Sequence, residues 1–309
     1  MQQVFIYGAG RVGRSFGRAI EERGANHGLM LNGAWNRSFK RALETSQILD
    51  VEVSSGDALP DPVLKADVVV LSVTDDAIVE VAQGLSRHLS KRQCLIHTSG
   101  SLPSTIMRSD HTQASLGGCH PLQSLAKDDG DYTLLHGATF AIEGEPEAME
   151  AAQRLAEAAG GDPIAIQPKG KVYYHAAAVV SANYLTVLVD AARVLYREAG
   201  LDTPTAVKTL LPLLRGTLQN LEEAVQNAEP DTATEALATT LTGPVRRGDV
   251  QTVQRHLRAL RALERAHDNE AGMVGLYQTL GRRAAVLARR AGLEDEEAAA
   301  LERILGRDS

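Results

Sequence analysis

The sequence predicts an α/β domain with a doubly wound, mostly parallel sheet, followed by an all-helical domain. Three observations carry that expectation. Short β-rich runs alternate with helical segments from Met1 to about Ile166, the β signal disappears after Gly170, and a glycine-rich turn separates the first run from the first helix. At 309 residues the chain exceeds the size at which one core keeps growing, so two domains are expected, 1–167 and 168–309.

The expected strands are Gln3–Tyr7, Leu29–Asn36, Asp67–Val73, Gln93–Thr98, Ser115–Cys119, Thr139–Ile142 and Pro163–Ile166. Between them Arg11–Arg23, Phe39–Ile48, Asp75–His88 and Pro146–Ala159 read as helices, each opened by a turn residue, an acid or a proline. In the second half, helical periodicity covers Lys171–Ala199, Pro204–Asn227, Asp231–Thr240, Asp249–Ala266 and Asn269–Ala291, with a tail helix from Glu294. Leu201-Asp-Thr-Pro204, Pro230 and Gly243-Pro244 punctuate it as turns.

Composition narrows the function classes. Hydrophobic residues make up 44% and charged residues 23%, which excludes a disordered or fibrous chain. A net charge of −7, with no basic block, points away from nucleic acid and anionic membrane and toward a small-molecule partner. The start MQQVFIYGAG lacks the basic segment of a signal peptide, so a cytoplasmic location is expected. The most apolar stretch, Ala176 to Leu195, is interrupted by Ser181, Asn183, Asp190 and Arg193, as in a buried soluble helix. Cys94 and Cys119 lack CxxC spacing and are expected to be buried, reduced thiols.

Gly8-Ala9-Gly10-Arg11-Val12-Gly13 places GxGxxG between an expected strand and an expected helix. Gly8 permits the tight turn, Gly10 the approach of a pyrophosphate, and Gly13 the packing of helix on strand, while free N–H groups at the helix start hold phosphate. This is the Rossmann arrangement. Where an NAD site would carry an acid at the end of the second strand, this chain has Asn36-Arg37-Ser38. A carboxylate about 4 Å from a 2′-phosphate charge costs roughly 4 kcal/mol at an effective dielectric near 20, and a guanidinium attracts it, so NADP is the expected cofactor. Val73 ends the next strand and, with Thr74 and Asp75 after it, is an expected cofactor contact, unless Thr74 and Asp75 only cap the following helix. His97, Thr98, Ser99 and Gly100 end another strand, the last three suiting a nicotinamide ribose or carboxamide.

Reduction needs a proton donor beside the cofactor. His120-Pro121-Leu122-Gln123 at a strand end offers one, or else forms a structural turn. Lys171 and His175 lie four apart on one helix face, and Asn183 two turns on borders the same cleft, unless these residues only join helices. Arg246 and Arg247, in LTGPVRRGD at 241–249, suit an anionic substrate group or a partner acid; His256 and Tyr277 read as structural. His97, Cys119, His120, His175 and His256 are metal-ligand types without HxxxH, HExxH or CxxC spacing, and no metal is expected.

Four blocks, IYGAGRVG at 6–13, GCHPLQS at 118–124, KVYYHAAAVVSANYL at 171–185 and LTGPVRRGDVQTVQRHL at 241–257, make the whole chain resemble a bacterial family in which a Rossmann-like domain joins a domain of unknown function numbered 2520. It is similar more distantly to pyrroline-5-carboxylate reductase and the β-hydroxyacid dehydrogenases. That resemblance implies NADP-dependent reduction and homodimers through the helical domain. The dehydrogenases use a lysine and, four residues later, an asparagine; here Lys171 matches the lysine and His175 replaces the asparagine. The expected function is an NADP-dependent oxidoreductase reducing a small carbonyl or imine at the interdomain cleft, with Lys171 or His175 as donor. The alternatives are a non-catalytic NADP(H)-responsive binding protein and a metal-assisted lyase or hydrolase.

Overall fold

A computed structural model describes residues 1–127, 129–267 and 272–306. The chain divides into two compact units, Met1–Leu185 and Thr186–Ser309. The first unit holds eight strands: β1 (Gln2–Tyr7), β2 (Leu29–Asn36), β3 (Val53–Ser55), β4 (Val68–Leu71), β5 (Cys94–His97), β6 (Ser115–Pro121), β7 (Thr139–Gly144) and β8 (Asp162–Ala165). They form one sheet in the order β3-β2-β1-β4-β5-β6-β7-β8. Every neighbouring pair is parallel except β6 with β7.

Successive side chains of a strand face opposite sides, so a sheet covered on both faces needs continuous apolar runs. In β1 and β4, Val4, Ile6, Val68 and Val70 enter one core with Phe16, Ile20 and Leu155, from α1 (Arg11–Arg23) and a helix described below. Phe5, Val69 and Leu71 enter the other core, with Ile78, Ala82 and Leu85. Helix α2 (Phe39–Ser46) follows β2, and α3 (Asp61–Lys65) follows β3. Helix α4 (Ile78–Ser86), entered through a short 3-10 turn at Asp75–Ala77, covers the second face, and α5 (Pro146–Ala158) the first. The strand order reverses between β1 and β4, and the carboxyl edge there is where open α/β sheets bind ligands.

The first unit ends in a helical stretch that begins with α6 (Lys171–Ala178) and passes through a π-turn, Val179–Asn183, into α7 (Tyr184–Glu198), most of which belongs to the second unit. The sequence suggests one unbroken helix there. No proline or glycine marks the π-turn, whose i→i+5 bonds are a tertiary outcome rather than a local preference. Helices α8 (Thr203–Gln226), α9 (Ala233–Thr239), α10 (Gly243–Arg246), α11 (Val250–Ala266), α12 (Met273–Arg290) and α13 (Asp295–Leu305) follow. The expected start of the helix at Asn269 lies outside the described residues. Strand β3 and helices α3 and α10, of three to five residues, carry too few positions to show a period in sequence.

The second unit has its own core of Val253, Leu257, Val274, Ala285, Leu301 and Leu305, drawn from α11, α12 and α13. Helices α7 and α8 differ: Val187, Leu188, Leu211, Leu213 and Leu218 on them are exposed. By length and composition alone, the stretch Pro168–Glu198 would suffice to cross a bilayer.

Candidate active site

The first βα turn is shaped for close approach. Gly8 adopts φ +93°, and a Cβ there would stand 2.8 Å from the Ser72 carbonyl oxygen and 2.6 Å from Val73 Cγ1. Over Gly10, by contrast, a Cβ would meet nothing within 4 Å. Gly10 caps α1 with no side-chain hydrogen bond, and the first turn holds no acid, so the helix presents its free N–H groups and positive dipole end without a protein partner. That combination fits a phosphate-bearing nucleotide. Ala9 is fully buried, its carbonyl accepting from Asn36 Nδ2 at 3.0 Å. Gly13 packs against Ile6 and the Gly8 carbonyl, Val12 packs against the core, and Arg11 reaches the Leu125 carbonyl.

A cavity of about 700 Å³ opens beside this turn along β1, β2 and β4, lined by Gly8, Gly10, Asn36, Arg37, Val73 and Thr74 among others. Tyr7 and Trp35, stacked with ring centroids 4.3 Å apart, form part of its wall. Arg37 faces it together with Asp57 and Glu80. Asn36 is itself buried and bonded to Ala9 and Thr45, so it stabilises the turn and has little left to offer a ligand. Ser38 caps α2, accepting from Arg41 N at 3.3 Å.

Along the same sheet edge, Asp75 Oδ2 accepts from Ser99 Oγ and Ser101 Oγ, each at 2.9 Å. Thr98 is buried and donates to the Leu71 carbonyl. Gly100 then passes between two imidazoles: a Cβ there would stand 2.6 Å from His175 Nδ1 and 2.7 Å from His120 Nε2. The His120 and His175 rings lie 5.8 Å apart at 83°, and Tyr174 meets His120 edge-on at 5.9 Å. The Nδ1 atoms of both histidines and the Tyr174 hydroxyl are buried without a hydrogen-bond partner among the described residues. Burial first, then the neighbouring His175 and Lys171, push the His120 pKa down to about 4.

Lys171 does not join this group at the surface. It is 0% exposed, its Nζ 3.3 Å from Glu143 Oε1 on β7. Burial lowers its pKa, and the charge and hydrogen bond of Glu143 oppose that shift. Glu143 carries no local sequence signal, being one acid in an otherwise apolar strand whose partner lies 28 residues on. Asn183 is exposed at the end of the π-turn, and no hydrogen bond or ring contact joins it to either histidine. In the second unit, Arg246 donates to the Ala291 carbonyl at the end of α12, and His256 Nδ1 lies 2.8 Å from the Tyr277 hydroxyl, so these groups already have partners. Arg247 is exposed.

Residues 2–123 match the model of a Rossmann-like domain, and residues 138–284 that of a domain of unknown function, DUF2520. Solved structures with the same fold include a Thermotoga maritima protein, with TM-score 0.65 and 23% identity over 93% of this chain and 98% of that one. Another is a 1-pyrroline-5-carboxylate reductase from Streptococcus pyogenes, with TM-score 0.59 and 14% identity over 94% and 99%. A reductive aminase from Aspergillus terreus, in complex with NADPH and ethyl-5-oxohexanoate, has TM-score 0.58 and 16% identity over 99% and 93%. At these identities the likeness is one of fold. No curated protein matches the chain.

Proposed function

We propose that this chain, a Rossmann-like domain joined to a DUF2520 domain, is an NADP-dependent oxidoreductase that reduces a small carbonyl or imine. The observation that carries the reading is the placement, on one edge of one sheet, of an uncapped glycine turn and, at Gly100, two histidines with unpartnered nitrogens. The reductive aminase of the same fold, solved in complex with NADPH, supports it. Gly8 and Gly10, with the start of α1, hold the pyrophosphate, Arg37 the 2′-phosphate, and the Ser99–Gly100 turn the nicotinamide end. The bound cofactor supplies a hydride to the substrate carbon.

The protein's part is orientation and the proton. His175 gives a proton to the substrate oxygen or nitrogen as the carbon is reduced, leaving an alcohol or amine and a neutral imidazole that solvent reprotonates. His120, held neutral near pH 7 by burial, fixes the direction of that transfer. Lys171, sealed against Glu143, acts through the placement of its helix, and the exposed Asn183 borders the substrate space. The apolar faces of α7 and α8 are covered by a second copy of the chain, which makes the working form a homodimer.

Loss of NADPH absorbance against a panel of imines, keto acids and aldehydes tests the assignment. At least one substrate class is expected to turn over, and His175→Ala to lower that turnover about 10²- to 10⁴-fold while NADPH affinity stays within about twofold. Tight NADPH binding with no consumption across the panel would favour a non-catalytic NADP(H)-responsive binding protein instead.

A further inference from the structure

Behind the histidine pair lies a connected polar cluster centred on Glu143, which is 1% exposed. Its Oε1 accepts from Ser104 N at 2.9 Å and faces Lys171 Nζ at 3.3 Å, while Oε2 accepts from Ser104 Oγ at 2.8 Å. His97 is also fully buried. Its Nδ1 accepts from Ser99 N at 3.1 Å, which places the ring proton on Nε2; that atom stands 4.0 Å from Glu143 Oε1 and makes no hydrogen bond among the described residues. Gly118, directly across the β6–β7 ladder from Glu143, leaves the room for this cluster: a Cβ there would stand 2.5 Å from Glu143 Oε1 and 2.7 Å from Lys171 Nζ.

Each neighbour of this carboxylate belongs to a segment that delivers part of the site. Lys171 opens α6, and His175 stands one turn further along it. His97 holds the Ser99 amide, and Gly100 is the next residue. Gly118 precedes His120 on β6 by two positions, hence on the same face of the strand. Ser104 ties down the segment that follows the Gly100 turn. Buried charge is costly unless it is paired and hydrogen-bonded, and here one carboxylate takes two hydrogen bonds from Ser104 and its counter-charge from Lys171, on two separate segments.

We propose that Glu143 is the positioning residue of the site: through Lys171 and Ser104, and from its place opposite Gly118, it holds His175, His120 and the Gly100 turn in a single arrangement, without touching substrate or cofactor. This inference rests on the reductase reading for its catalytic consequence, and on the cluster alone for its structural one. Lys171 is thereby a second positioning residue.

The test compares the full-length wild type with Glu143→Gln and with the double variant Glu143→Gln/Lys171→Met, which removes both charges together. Four readouts are taken: the melting temperature, the imidazole resonances of His120 and His175 in ¹⁵N-histidine-labelled protein, the NADPH dissociation constant, and kcat and KM on any substrate the panel identifies. Both variants are expected to displace the two imidazole resonances and to lower kcat at least tenfold, with any loss of NADPH affinity smaller than the loss of kcat. The double variant should regain the melting temperature but not the histidine spectrum or the turnover, and it carries the test alone if Glu143→Gln does not fold. Wild-type histidine resonances in the double variant would overturn the proposal, because the pair would then be replaceable packing. NADPH affinity falling in step with turnover would overturn it too. Displaced resonances in a protein whose wild type reduces nothing would leave the positioning role standing and remove the reductase reading.

Discussion

The central strands of the first unit and the helices that open the second handle apolar surface in opposite ways. All the side chains of β4, and Val4, Phe5 and Ile6 of β1, are 0% exposed, whereas Leu213 and Leu218 of α8 are 63% and 57% exposed. A parallel sheet flanked by helices has no water-facing side, so its strands finish burying within the unit. Helices α7 and α8 bury only Val194, Ala206 and Leu210, and leave Val187, Leu188, Leu213 and Leu218 exposed. The lesson is a division of labour: the unit that closes on itself can hold a fixed constellation of polar groups, while the open helices keep apolar surface outward, which in the proposed homodimer a second copy would cover.

Core truncation should separate the two regions most sharply. Phe140→Ala, at a 0% exposed site packed on Phe16, is expected to lower the unfolding free energy by about 3–5 kcal/mol in urea titrations. Leu213→Ala should change the monomer by less than about 0.5 kcal/mol, its effect appearing in the oligomeric state on size exclusion. Equal losses would erase the contrast.

The two regions also differ in their ion pairs. Lys171→Met strands a buried carboxylate and is expected to cost about 3–5 kcal/mol. The Asp190–Arg193 pair of α7, at 2.8 Å but with Asp190 67% exposed, should cost less than about 1 kcal/mol when Arg193 becomes Met. Urea titrations of the two variants side by side decide it.

Acid should weaken the first unit next. Burial, before any neighbouring charge, takes His97 down to about 3 and His120 down to about 4, against an ordinary value of 6.5. Both therefore stay neutral in the fold at pH values where the unfolded chain binds their protons. Their contribution is complete above pH 6.5 and is lost as pH falls toward 4 and then 3, about 2 kcal/mol from each at pH 5. Unfolding free energies measured from pH 7.5 to 5 check the direction; a protein that gains stability over that interval would contradict the neutral, buried imidazoles.

Much of this was legible in the residues themselves. The GxGxxG turn and its flanking strand and helix could be read because glycine spacing and the change of period coincide there, and Arg37 could be placed at the end of the second strand, where it lines the cavity. The apposition of His120 and His175 was only half legible: each lies in a marked block, but nothing in either block says that Gly100 passes between them. Glu143 was not legible at all. Its partners Ser104 and Lys171 sit 39 and 28 residues away, and a lone acid in a strand carries no period. Spacing to His175 marks Lys171 as a donor, whereas its depth depends on a strand far away in sequence.

The most direct test of the whole account is titration calorimetry of the purified protein with NADPH and with NADH, repeated on Arg37→Asp. The account expects one NADPH site per chain, much weaker binding of NADH, and a reversal of that preference in the variant. No heat with either nucleotide, or identical affinities before and after the substitution, would contradict it.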